Sequence, residues 1–289
     1  PALEEILFMK KQYLEHGAIQ AVDYMGDDRG PVESARISYG TGTTRLQEDA
    51  KLTKYLFRHR HTTPFEACEL AVEGKTPIFV DPRQAGRHRT LDNECFMGET
   101  LVGSQFFVPP ANEMKHQDRK NRQGRGNELD DELKAVVSIS MKGSYAREMQ
   151  LADALESLDV PQDEIRRTKG VGFFTYRWRT GDLKNWLHFL GLRWDAHAQK
   201  EIFLYAAQVA DIIKRQAPSS LEALNDYQRE AVMFTKQDKA FLKTVFAETN
   251  PDNLEIYRPL GFVIKDKKER EILNREGEEL KKKIEKCKE

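Results

Sequence analysis

The densest group of side chains able to bind an anion lies between residues 83 and 94. This stretch reads Arg83-Gln84-Ala85-Gly86-Arg87-His88-Arg89-Thr90 and is followed by Asn93-Glu94. Guanidinium groups present planar pairs of donors that match phosphates and the oxygens of a pyrimidine, and an imidazole among them can contact a polarised ring. Because apolar residues flank the stretch at 77–80 and 95–97, we interpret it as a binding site rather than a solvated basic turn.

A second candidate group lies in residues 183–193, where a largely apolar helical pattern ends in an arginine. Lys184 and His188 are four residues apart, so they share a face that differs from the leucine stripe and is free to meet a ligand. Arg193 could polarise a carbonyl group in a partly dry pocket, or it could serve only as an ion-pair residue. A lone histidine such as His188 is more often a packing residue than a ligand. The prediction of a site therefore depends on its combination with Lys184 and Arg193.

Two shorter patterns are weaker candidates. The turn Gly40-Thr41-Gly42-Thr43-Thr44-Arg45 precedes a predicted helix, but it lacks the third glycine of the dinucleotide fingerprint, and we interpret it as an ordinary Gly-rich turn. The segment His59-Arg60-His61 offers alternate imidazoles, yet the adjacent arginines oppose a cation and no carboxylate or cysteine cluster is near in sequence. We therefore predict no metal site and expect His61 to face a cleft.

Hydrophobic periodicity indicates the elements that position these groups. Apolar spacing predicts helices over residues 44–60 and about 195–216, and alternation predicts a half-buried strand over 68–73. Asp195 is expected to cap the second helix and Pro218 to stop it.

The remaining segments suggest how the chain is divided. Few apolar residues occur between about 110 and 131, which predicts a long surface loop. The tail is dominated by Lys and Glu. We predict one α/β domain over residues 1–250 and a charged extension over 251–289.

Composition excludes several classes of protein. The 46 basic and 47 acidic residues give a net charge of −1, which argues against electrostatic capture of nucleic acid. No apolar run approaches the roughly 20 residues that span a bilayer, and the N-terminal residues lack a secretory pattern, so we expect a cytoplasmic protein. Cys68, Cys95 and Cys287 show no CxxC spacing, which disfavours a disulfide framework or a four-thiolate zinc site.

Several strings along the chain, taken in order, resemble the flavin-dependent thymidylate synthases. They cover residues from about 20 to 215, and their order makes the resemblance specific. The strings are Val22-Asp23-Tyr24-Met25-Gly26-Asp27-Asp28, Ala35-Arg36-Ile37-Ser38-Tyr39-Gly40, Thr63-Pro64-Phe65-Glu66, Pro77-Ile78-Phe79-Val80, Arg87-His88-Arg89-Thr90, Asn93-Glu94, Asn121-Arg122-Gln123-Gly124, Phe189-Leu190-Gly191-Leu192-Arg193 and Ala198-Gln199-Lys200-Glu201-Ile202.

The resemblance implies a fold, an assembly and a reaction. The fold would be α+β, with an antiparallel sheet flanked by helices, and four copies would form a homotetramer that holds FAD between subunits. The reaction would transfer a one-carbon unit from methylenetetrahydrofolate to position 5 of deoxyuridylate, with reducing power from NADPH passing through the flavin. No enzyme cysteine attacks the pyrimidine in this chemistry, and neither a membrane nor a nucleic acid is an expected partner.

The resemblance also implies roles for individual residues. The positions that match FAD contacts are Thr63, Arg87, His88, Arg89, Thr90, Glu94, Lys184 and His188. The positions that match nucleotide contacts are Gln84, Arg87, Arg166 and Arg193. Arg193 corresponds to the catalytic arginine that polarises the uracil, since a fixed guanidinium stabilises negative charge developing on the ring. His61 corresponds to a histidine near the flavin face where folate or nicotinamide docks.

The sequence departs from the family pattern on the nucleotide side. Where the family has Ser-x-Arg-Tyr after Asn-Glu, this chain has Cys95-Phe96-Met97-Gly98-Glu99, and both phosphate-holding side chains are missing. The family's Asn-Ala-Arg on the flavin side is here Asp182-Leu183-Lys184, which keeps only a positive charge. The phosphate pocket could be rebuilt from Arg83, Arg166 or Arg167, or the acceptor could have changed.

Four alternatives remain open. The first concerns the acceptor, which could be UMP or dUMP, and the second is a transfer that stops at hydroxymethyl, which is chemically conceivable. An inactive relative is the third alternative. The fourth belongs to another class: a nucleic-acid-binding module that uses the charged segment from Lys115 to Arg125.

Overall fold

The computed structural model describes residues 4–37, 46–80, 101–119, 125–195, 197–266 and 268–288. The chain divides into two compact units, Pro1–Ala231 and Val232–Glu289. No helix among the described residues is long and apolar enough to cross a membrane.

The first unit is built on an antiparallel sheet of five strands. The strands of this unit are β1 (Lys11–Tyr13), β2 (Gly17–Met25), β3 (Glu69–Pro77), β4 (Leu101–Phe106), β5 (Lys115–Gln117), β6 (Arg125–Glu128) and β7 (Phe173–Asp182). The five-stranded sheet has the order β1-β2-β3-β7-β4, and β5 and β6 pair separately. In the centre of the sheet, β3 pairs along its whole length with β7, from Glu69 opposite Asp182 to Pro77 opposite Phe174. The expectation of an antiparallel sheet with helices is therefore confirmed.

Seven α-helices accompany this sheet in the described part of the first unit. They are α1 (Arg29–Arg36), α2 (Leu46–Arg58), α3 (Asp131–Ser157), α4 (Gln162–Arg166), α5 (Leu183–Arg193), α6 (Lys200–Gln216) and α7 (Pro218–Leu224). Four shorter turns also lie in this part of the chain: 3-10 turns over Glu4–Ile6, Thr63–Ala67 and Ala111–Glu113, and a π-helical turn over Asn225–Arg229. The core lies where the apolar faces of α5 and α6 meet β2 and β3, and it includes Ile19, Val72, Trp186, Leu190 and Val209. Burial of these side chains is the main force that holds α5 in place.

Three of the predicted elements are present close to their expected bounds. Helix α2 lies inside the predicted 44–60, β3 contains most of the predicted strand, and α5 carries the predicted leucine stripe. The predicted start of the 195–216 helix is wrong, because α6 begins at Lys200. Asp195 instead accepts a hydrogen bond from the backbone N–H of His197 at 2.8 Å, which closes a separate turn. Pro218 ends α6 as expected, and it also occupies the first turn of α7.

Part of the predicted surface loop at 110–131 forms regular secondary structure. Strands β5 and β6 form a hairpin within it, and Asp130 caps the long helix α3 by accepting a hydrogen bond from the N–H of Leu133 at 2.8 Å. Most hairpin side chains are exposed, so no apolar alternation marks the strands in the sequence.

The second unit contains two helices and a two-stranded sheet. Its elements are α8 (Lys236–Phe246), β8 (Val263–Lys265), β9 (Glu271–Leu273) and α9 (Arg275–Lys288). A small core forms around Tyr257, Leu273 and Ile284, against which Phe246 of α8 packs. The expected boundary between residues 250 and 251 falls inside this unit because α8 contributes to its core. A single catalytic domain over 1–250 remains a prediction.

Candidate active-site surface

The chain turns sharply after α2, and this turn sets the position of His61. The backbone N–H of Arg60 donates to the carbonyl of Phe57 at 3.0 Å, and that of His61 donates to the carbonyl of Leu56 at 2.9 Å. This pair of bonds is the Schellman end of a helix, which needs a left-handed residue, and Arg60 adopts φ 59° in that place. The 3-10 turn Thr63–Ala67 follows at once.

Phe65 anchors this turn to the protein. Its side chain is buried, and its ring meets that of Phe57 edge to face at 5.9 Å between centroids. His61 and Thr63, which both precede Phe65 in the chain, are exposed. The expectation that His61 faces a cleft stays a prediction, and Thr63 lies two residues away from it.

Helix α5 begins at a point fixed by several hydrogen bonds. Asp182 caps it by accepting from the N–H of Asn185 at 2.8 Å, and the N–H of Leu183 donates to the carbonyl of Cys68 at 2.7 Å. Further along, the indole N–H of Trp186 donates to the carbonyl of Leu70 at 3.0 Å. Because these bonds turn the apolar face of α5 towards the sheet, His188 lies exposed on the outer face and Lys184 is partly exposed there.

An ion pair joins the 3-10 turn to α5. The Lys184 ammonium donates to Glu66 Oε1 at 2.5 Å, and this hydrogen bond raises the pKa of Lys184 above its usual value. The pair brings Lys184 beside the turn that carries Thr63, with His188 one helical turn further along. We use the name α2–α5 surface for the exposed or partly exposed residues His61, Thr63, Lys184 and His188. The sequence predicted that all four serve one site, and the ion pair joins the elements that carry the last three. That His61 lies beside them stays a prediction.

Arg193 lies at the other end of α5. It is the last residue of the helix, about 14 Å along the axis from Lys184, and it is half-buried. The next residue, Trp194, caps the helix and is held by Arg229, whose guanidinium lies 3.5 Å from the indole ring centroid. A half-buried guanidinium next to a fixed helix end is suited to stabilise negative charge on a bound group.

Arg166 is not brought to the α2–α5 surface. It ends α4, which precedes β7, whereas Lys184 follows β7, and a strand of this length spans about 30 Å. Arg166 donates to Asp163 at 3.1 Å within α4. A site that used both Arg166 and Lys184 would need a second protomer, as the expected assembly of composite sites requires.

The remaining predicted contacts lie outside the described residues. They are Gln84, Arg87, His88, Arg89, Thr90 and Glu94, together with the Gly-rich turn at 40–45. The expected convergence of Arg87 with Arg193 therefore stays a prediction.

Cys68 is not an activated nucleophile. It is fully buried, and burial raises the pKa of its thiol to about 12, so the thiolate does not form near neutral pH. Its sulfur also accepts a hydrogen bond from the side-chain amide of Gln216 at 3.2 Å. In the part of the chain that the structure describes, no cluster of three or more His, Cys, Asp or Glu residues could hold a metal ion.

Two functional features were missed in the sequence. The first is an ion pair in which the exposed Arg125 of β6 donates to both carboxylate oxygens of the buried Glu201 at 2.7 and 2.9 Å. A glutamate four residues before the buried Tyr205, on the apolar side of α6, was the available signal. The second is the π-helical turn Asn225–Arg229, for which the sequence carries no recognisable signal.

Comparisons with known proteins show what this chain is similar to. The thymidylate synthase complementing protein family, Thy1, matches residues 20–219. A flavin-dependent thymidylate synthase of Ehrlichia ruminantium (strain Gardel) is 38% identical over 248 residues, which cover 86% of this chain and 83% of that protein. A flavin-dependent thymidylate synthase of Gluconobacter oxydans (strain 621H) is 39% identical over 235 residues, which cover 78% and 76%.

A solved structure shares the fold. The crystal structure of the UMP/dUMP methylase PolB from Streptomyces cacaoi, bound with 5-Br UMP, superposes with a TM-score of 0.64 at 25% sequence identity. The match covers 75% of this chain and 98% of PolB.

Proposed function

This chain belongs to the thymidylate synthase complementing protein family, and we propose that it catalyses flavin-dependent methylation at position 5 of a uridine monophosphate. The observation that supports the proposal is the Glu66–Lys184 ion pair, which joins the turn that carries Thr63 to the helix that carries Lys184 and His188. Thr63, Lys184 and His188 are the described positions at which the family resemblance expects the flavin.

We favour dUMP as the acceptor and keep UMP as the second candidate. Relatives 34–39% identical to this chain are flavin-dependent thymidylate synthases, whereas PolB, a methylase of UMP and dUMP, is 25% identical. The proposed overall reaction converts dUMP, methylenetetrahydrofolate, NADPH and a proton into dTMP, tetrahydrofolate and NADP⁺. We further propose a cytoplasmic homotetramer, which would bring Arg166 of one protomer to the α2–α5 surface of another.

The chemistry of the α2–α5 surface fits a flavin nucleotide. Thr63 provides a hydroxyl, Lys184 a cationic donor and His188 an imidazole, which together can bind phosphate oxygens and the polar edge of a flavin ring. Bound FAD would carry reducing equivalents from NADPH to the transferred carbon. Glu66 holds the Lys184 ammonium against the 3-10 turn, which limits its freedom before any ligand binds.

Two further residues would act on the substrates. Arg193 would favour the ionised or polarised uracil by stabilising negative charge on its oxygen and nitrogen atoms, which makes C5 a better nucleophile towards the one-carbon unit. His61 would line the face where folate or nicotinamide docks, because the left-handed Arg60 turns the chain so that His61 is exposed.

One observation weighs against the nucleic-acid alternative. Arg125, one of the cations in the charged segment, is paired with the buried carboxylate of Glu201, which offsets its attraction for a phosphate backbone. The hydroxymethylase alternative uses the same surface and differs only in its product.

Absorbance spectroscopy of the purified protein tests the proposal. We expect the protein to take up FAD and, after reduction by NADPH without oxygen, to reoxidise the flavin only when methylenetetrahydrofolate and dUMP or UMP are both added. A colourless protein that binds no FAD would refute the proposal. Lys184→Ala should weaken FAD binding more than Lys184→Arg, which keeps the cation.

A further inference from the structure

A π-helical turn lies just beyond the residues that match the family. It comprises Asn225–Arg229 and follows α7 directly, whereas the family match ends at residue 219. Such turns are rare and occur frequently at functional sites. This one contacts both helices that form the α2–α5 surface.

Two of its side chains bind α2. Asp226 Oδ2 accepts a hydrogen bond from the Lys54 ammonium at 2.9 Å. The Tyr227 hydroxyl accepts from the guanidinium of Arg58 at 3.3 Å, and the Arg58 guanidinium also lies 5.4 Å from the tyrosine ring centroid. Arg58 is the last residue of α2, three residues before His61.

Two others bind the end of α5. Arg229 Nε donates to the carbonyl of Trp194 at 3.0 Å, its guanidinium stacks on the indole, and its NH1 donates to Asn225 at 2.6 Å. Gln228 packs so closely on Gly191 that a Cβ at residue 191 would stand 2.2 Å from the Gln228 amide nitrogen. Trp194 follows Arg193 directly, so Arg229 fixes the backbone at the point where Arg193 leaves the helix.

We infer that the turn Asn225–Arg229 positions the reactive groups, with Arg229 orienting the end of α5 that carries Arg193 relative to the end of α2 that leads to His61. The inference rests on the proposed function, because it assigns Arg193 to the nucleotide. Arg229 suits this task because a cation at a helix C-terminus is favourable, and its planar fork can stack and donate at the same time. Lysine has no such fork.

A double-mutant cycle on turnover tests the inference. We expect Arg229→Ala to lower kcat with the preferred nucleotide by about tenfold or more, since a misplacement of about 1 Å at a reacting group can cost about 100-fold. In the Arg193→Ala background the same change should alter kcat by less than about twofold, because Arg229 acts through Arg193. Arg229→Lys should recover only part of the loss.

Controls separate positioning from general stability. Arg258→Ala removes a guanidinium that is bonded to Glu255 and Glu271 in the second unit, and it should leave kcat unchanged. Gly191→Ala should lower kcat by pushing Gln228 away, and the double variant Gly191→Ala/Gln228→Ala should restore it. If the Arg229→Ala variant does not fold, Arg229→Lys replaces it in the double-mutant cycle. Gly191→Ala and the Gly191→Ala/Gln228→Ala double variant are then measured beside it.

Two results would overturn the inference. One is a kcat for Arg229→Ala, or for its substitutes, within about twofold of the parent enzyme; the other is an equal loss in the Arg193→Ala background. If the parent enzyme methylates neither nucleotide, the proposed function fails separately, and the affinity for dUMP then decides the inference: Arg229→Ala must weaken binding in the parent but not in Arg193→Ala.

Discussion

Arg193 is the side chain on which the proposed chemistry depends most. Replacing it with alanine should lower kcat by about 100-fold or more, because a preorganised donor to a developing negative charge contributes that much in other enzymes. FAD retention should change little, because Arg193 lies about 14 Å along α5 from Lys184. Steady-state turnover and bound-flavin absorbance measure the two effects.

The matched control for Arg193 is Arg29→Ala, which removes an exposed arginine paired with Asp27. Its turnover should equal that of the parent protein. Loss of flavin from Arg193→Ala with normal turnover per bound flavin would show that Arg193 serves the cofactor and not the pyrimidine.

The buried thiol of Cys68 leads to a prediction about how the stability of the protein depends on pH. Burial raises the pKa of its thiol from 9.0 to about 12, so between these values the unfolded chain releases a proton that the folded chain keeps. Stability should therefore fall with rising pH in this window, by about 1.4 kcal/mol per pH unit for one proton. The Cys68→Ala variant should show a shallower decline in urea unfolding between pH 9 and 12.

The same substitution tests the chemistry. Cys68→Ala should keep its turnover at neutral pH, because a buried neutral thiol cannot attack the pyrimidine. Parallel stability curves for the parent and the variant above pH 9 would show that the thiol ionises freely in the folded protein.

Sequence motifs predicted which side chains serve the site. They did not reveal the side chains whose roles depend on partners far away in the chain. The resemblance to the family pointed to His61, Thr63, Lys184 and His188, and the Glu66–Lys184 ion pair joins the elements that carry the last three. The bonds of Arg229 to Trp194 and of Arg125 to Glu201 join residues 35 and 76 positions apart. Local spacing carries no information on contacts of this kind.

The β5–β6 hairpin depends on one buried charge. Glu201 is almost fully buried, so Arg125→Ala leaves its carboxylate with Gln199 and without its cation. We expect this change to lower the free energy of unfolding by about 1–3 kcal/mol, because the buried carboxylate loses its cation while the guanidinium that is removed was itself partly solvated. Urea unfolding of the intact chain measures the loss.

The control for the hairpin is again Arg29→Ala, whose exposed ion pair should contribute little to stability. Equal stability losses in the two variants would mean that the Arg125–Glu201 pair is no more than a surface contact.

Helix boundaries show where element prediction failed. Asp182 precedes an apolar stripe and caps α5, a cap that was not predicted from the sequence. Asp195 also precedes an apolar stripe but closes a turn with His197, and α6 starts five residues later. An aspartate can serve a turn as readily as a helix, and only the packing that follows decides between them.

At the scale of the whole molecule, the boundary between the two compact units after Ala231 leads to a prediction about truncated chains. The family match at 20–219 and the π-helical turn both lie within the first unit, so a chain that ends at residue 231 should keep FAD binding and turnover. A chain that ends at residue 219 lacks the turn and should lose turnover. Absence of FAD binding in the 1–231 chain would show that the second unit is needed for the site.

The central claim is that this chain transfers a one-carbon unit to a uridine monophosphate and reduces it to methyl. The most direct test incubates the FAD-loaded protein with methylenetetrahydrofolate, NADPH and either dUMP or UMP, and then weighs the nucleotide by mass spectrometry. We predict that dUMP gains the mass of one CH₂ unit, with one NADPH oxidised for each product formed. Two results would contradict the claim: unchanged masses for both nucleotides while FAD stays bound, or a gain of CH₂O, the mark of a hydroxymethylase.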